Sequence, residues 1–174
     1  MPSITAVAVQ SMVLKMSANL VAQSVAVYKS PVPIEMDWQR VLEFAVFGFI
    51  QGNINFWWQH FLERQYPATR RTPSGTSGLS YRNLALKVLV DQTLGLLMMN
   101  TTLMVCTNIA RQRSLAGLLA VVREKVPRIV FAAWRLWPAV SLLNFLYVPV
   151  SWRPVVGATV GFGWNMFLTF FMIK

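Results

Sequence analysis

The stretch from residue 134 to residue 165 limits the possible folds more than any other part of the chain. It is a nearly continuous apolar run with four tryptophans and three prolines, and it reads WRLWPAVSLLNFLYVPVSWRPVVGATVGFGWN. A chain of 174 residues has too little polar surface to cover such a run in water. In a bilayer, apolar segments of about 20 residues can instead cross the hydrocarbon layer as helices. The run therefore predicts a helical hairpin in a membrane.

The composition indicates the same class of protein. Hydrophobic residues make up 55% of the chain, and the mean hydropathy is positive. The net charge of +10 comes from basic residues between apolar segments, where anionic lipid headgroups attract them. The single cysteine and single histidine exclude an internal disulfide and an ordinary Cys/His zinc site. We therefore expect one membrane domain over residues 1–174, with no metal, no cofactor and no nucleic-acid partner.

The predicted architecture is an all-α integral membrane bundle of four to five transmembrane helices plus an interfacial amphipathic helix. Helices are predicted because they satisfy every backbone polar group within one segment. Residues 109–126 place leucine and valine on one face and basic residues on the remainder, which is typical of a helix lying in the interface. The distribution of basic loops does not choose an orientation. The predicted spans are about 4–28, 41–62, 83–106, 129–152 and 154–173.

Ten positions in the last third of the chain form a recognisable pattern. They are Trp134, Trp137, Pro138, Asn144, Phe145, Val148, Pro149, Arg153, Trp164 and Asn165. The pattern resembles the C-terminal signature of the 22-kilodalton peroxisomal membrane protein family, which also has mitochondrial inner-membrane members. The usual G-P-x-x-H-x-W-Y of that family is replaced here by GNINFWWQ, beginning at Gly52. The resemblance implies a divergent, multi-pass member in the mitochondrial inner membrane, with the peroxisomal membrane as the alternative.

Lys87, Asp91 and Gln92 are similar to the K-x-x-x-D-Q of the same family. Lys87 and Asp91 are four residues apart and are therefore neighbours on one helical face. A lone charge in mid-bilayer costs about 3 kcal/mol, which favours a pair. We expect an ionised Asp91 to face the bundle interior beside Lys87, with Arg135 as a further partner and Gln92 or Asn144 completing the hydrogen bonds. The alternative is that Lys87 extends to the headgroups and Asp91 lies just inside the interface.

Two further patterns lie inside the predicted spans. Lys15, Asn19 and Gln23 share one helical face, so they either pack against other helices or line a conduit. Gly48 and Gly52 have the G-x-x-x-G spacing that lets another helix approach closely.

Five basic residues near the predicted interfacial helix are candidates for lipid binding. We expect them to contact anionic headgroups, those of cardiolipin if the membrane is mitochondrial. Contact with an acidic partner subunit is the alternative. The five are Arg111, Arg113, Arg123, Lys125 and Arg128.

Little in the chain suits catalysis. It has six acidic residues and one histidine, and it lacks the G-x-S-x-G and H-E-x-x-H motifs, so we predict no catalytic residue and no enzyme. Two function classes are left. The loss of several signature residues favours a structural or accessory subunit of a larger inner-membrane assembly, which would meet other membrane subunits at glycine faces, Gly48 with Gly52 or Gly157 with Gly161. The family resemblance implies the alternative, a poorly selective pore for small solutes.

Overall fold

The computed structural model describes residues 2–31, 34–71 and 77–172, and for residues 70, 71, 77 and 165–172 it describes the backbone alone. Within these ranges the chain is helical except for one short hairpin and the connecting turns. The helices are α1 (Ile4–Lys29), α2 (Trp38–Gln65), α3 (Tyr81–Val90), α4 (Leu96–Asn108), α5 (Leu115–Ala133), α6 (Trp137–Tyr147) and α7 (Arg153–Met172). The hairpin pairs β1 (Thr69–Arg71) with β2 (Ser77–Leu79) antiparallel. The all-α prediction is confirmed.

The two N-terminal helices pack backbone to backbone. A Cβ atom at Gly48 would lie 2.7 Å from the carbonyl oxygen of Ser11, and one at Gly52 would lie 2.8 Å from the Cα of Ala8. Only glycine leaves room for this approach, because a side chain there would overlap the α1 backbone. The glycines of α2 therefore form a packing face, as predicted, and its partner is α1 of the same chain.

One turn of π-helix interrupts the third long helix. It covers Asp91–Gly95 and joins α3 to α4 without a break in the helical path. Such wide turns occur frequently at functional sites. A Cβ atom at Gly95 would lie 2.9 Å from the indole nitrogen of Trp58, so the glycine admits the tryptophan of α2. The sequence analysis predicted a helix here but not this turn.

The predicted interfacial helix at 109–126 and the predicted span at 129–152 are wrong in their bounds. A single helix, α5, begins after Ser114, whose hydroxyl accepts a hydrogen bond from the backbone N–H of Gly117 at 3.1 Å, and ends at Ala133. Serine is a favourable N-cap, which explains the start. After a short turn, α6 begins with Pro138 in its first turn, and the two helices meet at a bend of 62°.

The number of membrane crossings depends on how that bent pair is counted. By length and apolar composition, two helical segments among the described residues can cross a membrane, Ile4–Lys29 and Tyr81–Asn108. The number becomes three if α5 and α6 together form one broken span. The predicted four to five spans are therefore not confirmed by these criteria.

The α1–α2 contact leads to a stability prediction. Gly48→Ala should lower the thermal unfolding temperature of the purified protein in detergent, because the new methyl group meets backbone atoms that cannot move aside; overpacking of this kind costs about 1–3 kcal/mol. Gly157→Ala is the matched control, since no described atom lies within 4 Å of its Cβ position. Equal unfolding temperatures for the two variants would contradict a close α1–α2 contact.

Candidate functional site

A cavity of about 550 Å³ lies between the helices of the bundle. Its walls come from α1, α2, the π turn, α4, α5, α6 and α7, and they include the aromatic side chains of Phe47, Trp58 and Trp137. Polar side chains interrupt this apolar lining on most of these elements. They are Ser11, Lys15, Gln51, Asn55, Gln59, Asp91, Gln92, Asn100, Arg128, Ser141, Asn144 and Arg153. A cavity with apolar walls and a few converging polar groups is the usual form of a small-molecule site.

Asp91 occupies the cavity wall at the start of the π turn. Its carboxylate accepts hydrogen bonds from the indole N–H of Trp58 at 2.9 Å, the hydroxyl of Ser141 at 2.6 Å and the side-chain amide of Gln92 at 3.1 Å. Three neutral donors from α2, α6 and the π turn thus surround the carboxylate. Its bond to Gln92 was expected, whereas the sequence analysis did not identify Trp58 or Ser141.

Lys87 does not pair with Asp91, so the prediction of an intramembrane pair within one helix is wrong. The Lys87 side chain is fully buried, and its ammonium lies 2.8 Å from the carboxylate of Glu63 at the end of α2. The same Glu63 oxygen accepts a hydrogen bond from the guanidinium of Arg153 at 2.5 Å. Both cations also lie just over 5 Å from the ring centre of Phe145. We name Glu63, Lys87 and Arg153 the α2-end cluster.

Arg135 and Asn144, the other predicted partners of Asp91, are also placed differently. Arg135 is exposed and forms no ion pair with a described residue. The amide of Asn144 donates to the backbone carbonyl of Arg153 at 3.2 Å. The composition contained a signal for the pairing of Lys87 and Arg153 with Glu63. The chain has only six acidic residues, so each buried cation must pair with one of very few carboxylates.

A second group of charges lies at the other end of α2. Arg111, in the turn after α4, binds Asp37 at 2.8 Å and Glu43 at 2.8 Å. Gln23 of α1 holds the backbone of Asp37 at both its N–H, 2.7 Å, and its carbonyl, 3.1 Å. Arg40 completes the group at 3.7 Å from Glu43. We name Asp37, Glu43 and Arg111 the α2-start cluster.

Arg111 was predicted to contact lipid headgroups, and the structure instead assigns it to carboxylates of its own chain. The other four candidates are exposed on or near α5, where Arg128 lies 3.5 Å from Glu124 in an exposed pair. Exposed pairs of this kind contribute little to stability, so they leave these cations open to other contacts. Lipid contact stays a prediction for Arg113, Arg123, Lys125 and Arg128.

The residues of the C-terminal pattern surround Arg153 and the cavity. The Arg153 guanidinium also donates to the carbonyl of Val148 at 3.0 Å, and Phe145 packs in a buried group with residues of α2 and α3. The indole of Trp134 donates to the carbonyl of Gln92 at 2.8 Å. Trp137 and Trp164 line the cavity, Pro138 begins α6 and Pro149 precedes a short 3-10 turn. The Asn165 side chain lies outside the described part.

Comparison with known proteins supports the family resemblance of the C-terminal pattern. Residues 108–169 match the model of the Mpv17 / PMP22 family. Over these residues the chain is similar to that family. This match contains the whole C-terminal pattern and confirms the resemblance inferred from it. No solved structure matches the chain.

Relatives extend the similarity beyond the matched domain. The chain is 30% identical over 138 residues to the Mpv17-like protein of Bos taurus, which covers 77% of this chain but only 63% of that relative, less than two thirds of its length. It is 25% identical over 167 residues to PXMP2/4 family protein 3 of Dictyostelium discoideum, with 96% and 83% covered. It is 26% identical over 136 residues to the mitochondrial inner membrane protein Mpv17 of Drosophila melanogaster, with 78% and 76% covered. That last name agrees with the expected location.

A double-mutant cycle tests the α2-end cluster. Lys87→Met and Glu63→Gln should each lower stability in detergent by roughly 2 kcal/mol, less than the 3–5 kcal/mol of a fully buried pair because Glu63 is 31% exposed. The double change should cost less than the sum of the two single changes, because Lys87→Met removes one of the two cations that Glu63→Gln leaves unpaired, while Arg153 stays without its carboxylate. Lys87→Met combined with Asp91→Asn is the control and should be additive. Coupling between Lys87 and Asp91, with none between Lys87 and Glu63, would instead support the pair predicted from the sequence.

The α2-start cluster predicts a pH dependence. The pKa of Asp37 is lowered by the backbone N–H of Arg40 and by the Arg111 guanidinium, so the ionised form is favoured in the folded state. Its contribution to stability is therefore complete above the unfolded pKa of about 4 and disappears as the pH falls through the lower folded pKa. Asp37→Asn keeps a capping oxygen but removes the charge. The difference in unfolding temperature between wild type and this variant should be present at pH 6 and vanish towards pH 2; a constant difference would contradict the prediction.

Proposed function

We propose that this chain is a non-enzymatic, multi-pass protein of the mitochondrial inner membrane that admits small polar solutes into the cavity between its helices. The observation that carries the proposal is the cavity itself, whose polar groups come from most of the helices of the bundle. Polar side chains inside a membrane bundle are tolerated where they meet one another or line a polar path. This is the pore class that the family resemblance implied.

The two charged clusters support a full crossing by α2. Glu43 and Glu63 are 20 positions apart on one helix, which corresponds to about 30 Å at 1.5 Å per residue. That distance equals the thickness of the hydrocarbon core. Each carboxylate would then lie near one membrane surface, where charged groups are least costly. Its polar residues lower the mean hydropathy of α2, and three of them, Gln51, Asn55 and Gln59, line the cavity.

Pairing between distant parts of the chain extends this argument to five crossings. Lys87 and Arg153 belong to the Glu63 end of α2, and Arg111 belongs to the Glu43 end. The chain must therefore cross between Lys87 and Arg111, and again between Arg111 and Arg153. Together with crossings by α1, α2 and α7, these two crossings would give the five-span bundle that we propose, in which α5 and α6 are one bent span.

The same packing weakens the case for an accessory subunit. The Gly48 and Gly52 face, predicted to meet another subunit, is occupied by α1. A Cβ atom at Gly161 would lie 3.4 Å from the Lys15 ammonium, so that glycine also faces its own chain. Gly157 lines the cavity and has no described atom within 4 Å of its Cβ position. The accessory role remains the alternative proposal.

A plugging variant tests solute passage. Purified protein in liposomes should release small polar solutes, and Gly157→Phe should reduce release to that of protein-free liposomes, because the ring enters the cavity without meeting a described atom near its Cβ. Gly163→Phe is the matched control, since it has equal space but does not line the cavity. Release should persist in the control.

Two results would contradict the proposal. One is the absence of release by the wild-type protein, and the other is equal release by both phenylalanine variants. The first result, combined with a stable complex with other membrane proteins after gentle detergent extraction, would favour the accessory-subunit alternative.

A further inference from the structure

A second, apolar groove lies on the outside of the bundle, where α3 and the π turn meet the bend between α5 and α6. Its volume is about 650 Å³. It opens away from the bundle, since Leu89 is 59% exposed and Trp134 is 44% exposed. We name it the outer groove. Its walls include Ala85, Leu89 and Thr93 on one side and Trp134, Pro138 and Leu142 on the other.

The polar groups in these walls already donate hydrogen bonds within the chain. The Thr93 hydroxyl donates to the carbonyl of Leu89 at 2.8 Å, and the Trp134 indole donates to the carbonyl of Gln92 at 2.8 Å. The Gln92 amide donates to Asp91 at 3.1 Å, and Gln92 is only 7% exposed. A polar ligand in the outer groove would lose its bonds to water without replacing them. The walls therefore favour an apolar occupant.

The outer groove extends inward from one membrane surface. Ala85 and Thr93 are eight positions apart, which corresponds to about 12 Å along the helix. Lys87 lies between them and pairs with Glu63, which the proposed five-span arrangement places near a membrane surface. The Ala85 end of the groove then lies at that surface, and the Thr93 end lies in the hydrocarbon. A lipid acyl chain in one leaflet follows the same course.

Two exposed arginines lie beside the outer groove. Arg82 is three residues before Ala85, on the same helical face, and about 7.5 Å further out than Lys87, at the level of the headgroups. Arg135 follows Trp134 in the bend, and a long basic side chain there can extend towards the headgroups. Neither arginine forms an ion pair with a described residue. Basic groups beside a groove between membrane helices are typical of sites for anionic lipid headgroups.

We propose that the outer groove binds one anionic phospholipid, with an acyl chain between its walls and the phosphate beside Arg82 and Arg135. The walls select a hydrocarbon chain, and the two unpaired cations select a negative headgroup. A helix of a partner subunit would need a carboxylate at the level of these arginines. The proposal rests on the five-span arrangement, which sets the depth of the groove, and not on solute passage. The site is distinct from the four exposed cations on or near α5, none of which lines the groove.

The headgroup preference of the full chain tests the charged part of the site. Thermal unfolding in detergent should be followed with phosphatidylglycerol and phosphatidylcholine of identical acyl chains, which differ in headgroup charge. Phosphatidylglycerol should raise the unfolding temperature at concentrations at least tenfold lower, because each arginine should contribute about fivefold. Arg82→Gln should reduce this preference about fivefold. Arg64→Gln is the matched control, since it removes an exposed arginine at the same end of the bundle but outside the groove.

A second variant tests the apolar walls. Ala85→Phe places a ring in the outer groove, so it should weaken the binding of both lipids. The unfolding temperature without lipid should stay unchanged, because position 85 is exposed. Ala120→Phe is the control, since it adds the same ring at an exposed position of α5 outside the groove, and it should bind both lipids as the wild type does.

Three results would overturn the proposal. They are equal effects of the two lipids on the wild type, a phosphatidylglycerol preference that survives both Arg82→Gln and Arg135→Gln, and unchanged lipid binding by Ala85→Phe. In the last case, loss of a co-purifying membrane protein from Ala85→Phe would identify a partner helix as the occupant. A phosphatidylglycerol preference without solute release would leave this site intact and reject the proposed function; release without that preference would do the reverse.

Discussion

The ion pairs of the Glu63 carboxylate are the contacts on which the Glu63 end of the bundle depends. The carboxylate neutralises the buried Lys87 and the nearly buried Arg153 at once, and so it ties the end of α2 to the start of the third long helix and of α7. Phe145 lies beside both cations and shields them. Removing one member of such a group leaves a charge without its partner where solvation is poor, which makes the three side chains interdependent.

Because Lys87 pairs with Glu63, Asp91 has no cationic partner on its own helix and binds other groups. Asp91 lies at the first position of the π turn, and neutral donors from two other helices surround it. Gly95 makes that arrangement possible by admitting Trp58 next to the turn. The cavity wall thus contains a negative group that is hydrogen-bonded and, on α1, a Lys15 that has no ion pair among the described residues.

The C-terminal pattern has a structural explanation in these terms. The Asn144 amide donates to the carbonyl of Arg153, and the Phe145 ring lies beside the Arg153 guanidinium. Trp137 and Trp164 line the cavity, and Trp134 donates to the Gln92 carbonyl in the π turn. The pattern therefore describes the part of the bundle that joins the charged cluster to the cavity. The three replaced positions after Gly52 are occupied by Asn53, Phe56 and Gln59 on α2, and of these Gln59 lines the cavity. None of the three belongs to the α2-end cluster.

Apolar length, the glycine spacing on α2 and the C-terminal pattern were sufficient to predict the membrane class, the all-α fold, a close helix contact and the family resemblance, because each depends on residues that are near in sequence. Partner choice could not be predicted in this way. Lys87 and Asp91 are neighbours along one helix, yet their partners come from α2 and α6, and Arg111 binds carboxylates at positions 37 and 43. Side chains of one helical face compete for partners on every adjacent helix, and only the packing of those helices decides which carboxylate or hydroxyl lies within reach.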